Sequence, residues 1–149
     1  METEIRRTDA PPRELLLLGD ESPESLHSYL GRSTCYAARC GERIVGVCLL
    51  IATHPFTAEI VNLAVDPGFQ RRGIGSALIA HAMREARGQG FRRLEIATGY
   101  DEKGPLKLYR SLGFEPVEIE RDYFPKYYGT PVAEAGGECR DLIRLRTEL

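Results

Sequence analysis

Between Glu59 and Thr98 the apolar pattern changes period twice, and that change limits the chain to a small set of folds. Glu59 to Val65 (E-I-V-N-L-A-V) reads as a strong strand, stopped by Asp66-Pro67-Gly68. Ile74, Leu78, Ala82 and Ala86 then recur at helical spacing, flanked by Ile79 and Met83, so a helix is expected from Ile74 to Arg87. Gly88 and Gly90 end it, and Arg93 to Thr98 (R-L-E-I-A-T) returns to strand character. Strand, helix and strand within about 40 residues make a βαβ unit, with parallel strands and a right-handed crossover expected.

The flanking segments extend the same α/β (α+β) reading. Glu2 to Arg7 reads as a first strand, and Pro11, Pro12 and Gly19-Asp20-Glu21-Ser22-Pro23 punctuate one or two helical segments ending near Leu30. Thr34 to Cys40 and Arg43 to Thr53 are β-rich runs on either side of Gly41-Glu42, a two-residue hairpin turn. Downstream, Gly104-Pro105 opens a short helix and Gly113 closes it. Phe114 to Arg121 and Cys139 to Arg146 are the last strand candidates, joined by a long aromatic connection that carries Pro and Gly. At 149 residues the chain suits one domain, 1–149.

Charge and cysteine placement exclude several classes. Twenty Lys and Arg against 22 Asp and Glu give a net charge of −2, so the basic footprint of a general nucleic-acid binder is absent. The longest apolar run, Ile44 to Ala52 broken by Gly46, is far below the ~20 residues of a membrane span, so no membrane partner is expected. Met1 to Arg7 carries early acids and no apolar segment of the secretory kind, which points to the cytoplasm. Cys35, Cys40, Cys48 and Cys139 form no C-x-x-C pair and have no histidine at zinc spacing, so no metal site is expected. The first three fall in strand-like stretches, where cysteine serves as a small buried hydrophobe.

The chemistry is concentrated in Gln70-Arg71-Arg72-Gly73-Ile74-Gly75, which lies between a strand and the start of an amphipathic helix. Helix N-termini leave main-chain N–H groups unpaired and carry partial positive charge, so a turn of small residues there can wrap an anion closely. Arg71 and Arg72 add bidentate donors suited to phosphate oxygens, and the implied ligand is a pyrophosphate. No G-x-x-x-x-G-K-S/T occurs, which removes the P-loop nucleotidases. A dinucleotide fingerprint needs a small residue three places after the second glycine, where Leu78 stands, so a nicotinamide-dependent oxidoreductase is disfavoured. The plain alternative is a tight strand-to-helix turn with two solvated arginines.

Taken with its flanks, the chain resembles the GNAT superfamily of N-acetyltransferases over most of its length. Q-R-R-G-I-G is similar to that family's Q/R-x-x-G-x-G/A loop, preceded by a strand ending L-A-V-D-P. Leu108-Tyr109-Arg110-Ser111-Leu112-Gly113-Phe114 is similar to its second signature, L-Y-x-x-x-G-F. The resemblance implies a mixed, splayed sheet of six to seven strands flanked by about four helices, and acetyl-CoA as co-substrate.

It also implies roles. The amides of Gln70, Arg71, Arg72, Gly73, Ile74 and Gly75, with Ser76, would hold the CoA pyrophosphate, and the main chain of Leu63, Ala64 and Val65 would pair with the pantetheine arm. One N–H of that strand would polarise the thioester carbonyl, an arrangement worth ~3–4 kcal/mol when aimed at developing charge. Tyr109, a phenol of pKa ~10, would return a proton to the CoA thiolate; its alternative is a helix tyrosine packed on the sheet. Ala58-Glu59-Ile60-Val61 resembles the stretch that carries the catalytic glutamate of histone-type members, so Glu59 is the candidate base, against a solvated acid at the strand mouth. Asn62 either orients the acceptor or makes a structural hydrogen bond. His27 and His81 read as surface residues, and His54 as the one histidine able to approach the acceptor. The family's asparagine between the fifth strand and the L-Y-x-x-x-G-F helix is missing from Gly99-Tyr100-Asp101-Glu102-Lys103-Gly104, where Tyr100 is the candidate to replace it by packing. Lys103, Lys107 and Arg110 either reach the 3′-phosphate or form a solvated face.

The acceptor is expected from Glu118 to Tyr128 (E-I-E-R-D-Y-F-P-K-Y-Y), where acids and aromatics suit a cation. Asp122, Tyr123 and Tyr127 are the candidate contacts for a small polyamine-like or aminoglycoside-like amine, or for a peptide amine; otherwise the tyrosines cover a sheet edge or a homodimer contact. The rival of another class is a non-catalytic acyl-CoA-binding module, against which Tyr109 and Glu59 argue.

Overall fold

Residues 3–99, 104–129, 132–134 and 137–149 are described by the computed structural model, and the chain falls into two units, Met1–Arg92 with Leu149, and Arg93–Glu148. The first contains β1 (Glu4–Thr8), α1 (Arg13–Gly19), α2 (Pro23–Leu30), β2 (Thr34–Cys40), β3 (Arg43–His54), β4 (Thr57–Val65) and α3 (Ile74–Gly88). The four strands pair antiparallel in chain order. Gly41, at φ 64°, closes the expected hairpin with Cys40 opposite Arg43.

Helices cover both faces of this sheet. Val47, Leu49 and Ile51 of β3 pack with Leu15, Leu16, Leu26 and Tyr29 of α1 and α2. The alternate residues face α3: a Cβ on Gly46 would lie 3.0 Å from Leu78 Cδ1 and 3.1 Å from Ile74 Cγ2, so the helix approaches this strand more closely than a side chain allows. α2 starts as its sequence suggests, with the Ser22 hydroxyl accepting from Ser25 N at 3.1 Å and Pro23 in the first turn. His81 departs from the surface expectation. It is half-buried, seven residues after Ile74 on the apolar stripe, with its ring edge-on to Tyr36 at 4.8 Å. Burial lowers its pKa, opposed by Glu85.

β4 carries an irregularity that its sequence does not reveal. Asn62 pairs with Leu49 but Ile60 pairs with Leu50, so Val61 is an extra residue in the ladder, a β-bulge. Residues opposite one another share a face. The bulge therefore brings both Glu59, opposite Ile51, and Asn62, opposite Leu49, to the face covered by α1 and α2.

Asn62 is 3% exposed and its Nδ2 donates to Leu16 O at 2.9 Å and Tyr29 Oη at 3.1 Å. Tyr29 Oη in turn donates to Asp20 Oδ2 at 2.9 Å, and Ser25 Oγ donates to the same oxygen at 2.6 Å. One amide thus ties β4 to the end of α1 and to α2, the structural alternative of the sequence reading. Gly19 fits because a Cβ there would fall 2.1 Å from Asn62 Oδ1. Gly19→Ala is expected to displace that amide and to cost about 2–3 kcal/mol in urea unfolding, from overpacking and the lost buried hydrogen bonds. An unchanged midpoint would show that Asn62 does not hold the helix.

The second unit contains β5 (Arg93–Gly99), α4 (Pro105–Ser111), β6 (Glu115–Glu120), α5 (Tyr123–Tyr128), β7 (Val132–Glu134), β8 (Gly137–Cys139) and β9 (Leu142–Glu148). β9 lies antiparallel between β5 and β6, while β7 and β8 pair with each other in a separate two-stranded sheet. The carboxylate of Glu95, 4% exposed, is met at 2.7 Å by Arg146 directly across the ladder. Four strands in the first unit and β5, β6 and β9 in the second meet the expected six to seven, and the α/β class holds.

The connection after β6 contains α5, so the described residues hold five α-helices, in keeping with the expected number of about four. One expectation changes in the second unit. The strand expected from Cys139 to Arg146 is broken: Cys139 ends β8 and β9 begins at Leu142. The residues between brace α5, since Phe124 N donates to Arg140 O at 3.1 Å and Asp122 N donates to Asp141 Oδ1 at 2.8 Å. The Arg140 carbonyl engaged there is not free to continue the ladder.

Candidate active site

The turn that ends β4 is built by Asp66. Its Oδ1 accepts from Gly68 N at 2.9 Å, its carbonyl accepts from Phe69 N at 2.8 Å, and Pro67–Phe69 form one 3₁₀ turn. Gln70 Nε2 then donates to Val65 O at 3.0 Å, folding the chain back towards the strand it has left. Arg71 and Gly73 both take left-handed conformations, at φ 63° and 81°. Glycine suits the second, whereas the first is strained by roughly 1–2 kcal/mol, a feature that gathers at functional sites.

The helix after this turn starts open. Gly73 is the N-cap of α3 and makes no side-chain hydrogen bond, and no acid stands in the first turn. The first amides of the helix therefore have no partner within it and no carboxylate of its own first turn to cap them. Gly75 has no positive φ, and among the described residues a Cβ there would meet only Val65 Cγ2 at 3.9 Å. No described residue requires a glycine at 75; its missing side chain leaves room for something outside. Uncapped amides, two adjacent arginines and no acid among them fit a diphosphate.

The other candidates of the sequence lie on β4, on α4 and around α5. Leu63, Ala64 and Val65 lie opposite Cys48, Val47 and Gly46. Glu59 is half-buried in β4. In the second unit Tyr109 is 8% exposed on α4, and its ring is 6.4 Å from that of the fully buried Phe114. Phe114 N donates to Tyr109 O at 3.1 Å across Gly113, which stands at φ 98°. The L-Y-x-x-x-G-F spacing thus has a local cause: the left-handed glycine turns the chain so that the phenylalanine packs under the tyrosine. Lys107 and Arg110 are exposed, as are His27 and His54; Tyr100 and Lys103 lie outside the described residues.

Asp122, Tyr123 and Tyr127 share one neighbourhood. Asp122 Oδ1 accepts from Arg140 Nε at 3.0 Å. The Tyr123 ring stacks obliquely on Tyr127 at 4.8 Å, and Lys126 Nζ lies 5.1 Å from the centre of the Tyr127 ring. Tyr127 is 55% exposed. Cys35 and Cys48 are buried, which pushes the first thiol up to about 11 and the second up as well, so neither offers a thiolate at neutral pH. Among the described residues no group of three or more His, Cys, Asp and Glu could hold a metal, and no helix is long and apolar enough to cross a membrane.

Sequence reasoning missed two parts of this site. The bulge at Val61 has no signal in residue type, and Arg43 and Phe69, which flank the turn in space, belong to no motif. Arg43 Nη2 donates to Asp66 Oδ2 at 2.8 Å, and the guanidinium carbons of Arg43 and Arg72 lie 5.4 Å and 5.1 Å from the Phe69 ring centre. Arg43 and Asp66 stand 23 positions apart in the chain, so only the fold brings them together.

Comparison with known proteins gives a consistent result. The model of the acetyltransferase (GNAT) family matches residues 4–114. The uncharacterized N-acetyltransferase YvbK of Bacillus subtilis is 39% identical over 136 residues, covering 91% of this chain and 88% of that protein. An IAA acetyltransferase from Bacillus cereus superposes with a TM-score of 0.95 at 41% identity, over 99% of this chain and 100% of that one. A GNAT family acetyltransferase from Elizabethkingia anophelis, solved with acetyl-CoA bound, superposes with a TM-score of 0.93 at 35% identity, over 99% and 98%. The open glycine turn, the locked tyrosine helix and these likenesses agree: the chain belongs to the acetyltransferase (GNAT) family and is an acetyl-CoA-dependent N-acetyltransferase.

Proposed function

We propose that the chain, acting as one transferase domain over 1–149, transfers the acetyl group directly to a primary amine, with no acyl-enzyme. The observation that carries this reading is the uncapped start of α3 beside Arg71 and Arg72. Acetyl-CoA supplies an acyl group activated as a thioester. The amides from Gln70 to Gly75, with Ser76, hold its diphosphate, and the main chain of Leu63, Ala64 and Val65 aligns its arm. The Glu59 carboxylate accepts a proton from the ammonium form of the acceptor, directly or through water, because a protonated amine cannot attack. Tyr109 Oη gives its proton to the departing sulfur. The raised thiols of Cys35 and Cys48 support direct attack over a cysteine relay.

The acceptor in this reading is a small cationic amine or a peptide amine, met by Tyr123, Tyr127 and Asp122. Support comes from Lys126, whose ammonium already lies over the Tyr127 ring, and from Arg140 at Asp122: the neighbourhood is one that cations occupy. Asn62 contributes by fixing the segment after α1 rather than by touching the amine. Release of thiol from acetyl-CoA across a panel of polyamines, aminoglycosides and peptides tests the activity. With the best acceptor, alanine at Asp122, Tyr123 or Tyr127 is expected to raise KM about 2–30-fold, the range of one cation–aromatic contact. Unchanged KM in all three removes the acceptor assignment. Coenzyme binding with no thiol release on any amine would indicate a sensor.

A further inference from the structure

Of the two arginines in the glycine turn, one is held and the other is not. The Arg72 guanidinium lies over the Phe69 ring, 5.1 Å from its centre, whereas among the described residues no ring or carboxylate holds Arg71. Phe69 is itself half-buried and shared with Arg43, which lies 5.4 Å from the ring centre and is tied at 2.8 Å to Asp66. Asp66 is anchored again by Gly68 N. The order Gly68, Asp66, Arg43, Phe69, Arg72 is a continuous chain of contacts leading to the lip of the turn.

Arg43 and Arg72 are fixed by different means. Arg43 is paired with a carboxylate, which neutralises it. Arg72 is fixed by an uncharged ring, which leaves its full charge and its planar N–H donors unspent. Such an arrangement suits a guanidinium kept ready for a phosphate, because the side chain has already lost the freedom that binding would otherwise take from it.

We propose that Phe69 is a positioning residue for coenzyme binding: it presents Arg72 to a phosphate group of CoA, with Arg43 and Asp66 bracing the ring. The proposal rests on the acetyl-CoA reading and separates Arg72 from Arg71. The phosphate is either the diphosphate or the 3′-phosphate, and the two are distinguished by experiment.

Titration calorimetry of CoA into the full chain and its variants tests it, with melting temperature as the control for folding. Arg72→Gln and Phe69→Leu are each expected to weaken CoA by roughly tenfold, and Arg71→Gln by much less. The double variant Phe69→Leu/Arg72→Gln is expected to bind as Arg72→Gln does, since the ring acts through the arginine. Phe69→Tyr, which keeps the ring, is expected to match the wild type. Arg72→Lys, an exposed change that keeps the charge without the flat guanidinium, is expected to lose most of the same affinity and serves if Phe69→Leu lowers the melting temperature. If the losses persist with dephospho-CoA, Arg72 serves the diphosphate; if they vanish, it serves the 3′-phosphate. Equal losses from Phe69→Leu with and without Arg72, or CoA binding unchanged in Phe69→Leu and Arg72→Lys, overturn the proposal while leaving the coenzyme reading intact. A wild type that binds no CoA overturns both.

Discussion

Gly75→Asp is expected to fold at least as well as the parent chain and to bind acetyl-CoA about 100-fold more weakly. Replacing a helical glycine removes its excess unfolded freedom, worth roughly 0.5–1 kcal/mol, and an acid in the first turn of α3 gains roughly 0.3–1 kcal/mol from the helix dipole. The described residues leave room for the substitution, since among them the added Cβ would meet only Val65 Cγ2 at 3.9 Å. The same carboxylate would cap the amides that the diphosphate needs and would repel it. Two unit charges about 4 Å apart interact by about 4 kcal/mol at the effective dielectric of a protein surface, enough for a hundredfold loss after screening. Thermal melting and calorimetry together check the claim. A parallel loss of stability and binding would mean that the turn is merely structural.

Tyr109→Phe is expected to lower kcat about 100- to 1,000-fold with the KM for acetyl-CoA little changed, the pattern of a lost proton donor. The phenyl ring is kept, so its packing beside Phe114 at 6.4 Å is expected to survive. Removing one buried hydroxyl is expected to change stability by only about 1 kcal/mol. Glu59→Gln is the companion variant. It keeps the shape of a half-buried residue in β4 while removing the group that accepts the amine's proton. Full activity in both variants would move the acid and base to other groups.

Much of this architecture is legible because it is periodic or punctuated. α3 declares itself through Ile74, Leu78, Ala82 and Ala86, and the hairpin through Gly41, whose left-handed φ of 64° its residue type permits. The glycine turn and the L-Y-x-x-x-G-F helix are legible as motifs because each needs particular residues at fixed offsets. What stays hidden depends on contacts between distant segments. The bulge at Val61 exists in the register between β3 and β4, and no residue type in E-I-V-N-L-A-V marks it. Asn62 resembles an acceptor ligand in a one-dimensional reading, yet its amide is directed to Leu16 and Tyr29. α5 is hidden for another reason. Its six residues include Pro125 and three tyrosines, and it is supported by Arg140 and Asp141 rather than by its own propensity.

The central claim is that a coenzyme lays its diphosphate on the uncapped amides at the start of α3. Titration of CoA into the wild-type chain and into Gly75→Asp tests it most directly. Saturable binding at one site per wild-type chain, lost in a variant that melts no lower, is the predicted result. Equal binding by the two proteins, or none by the wild type, would contradict it.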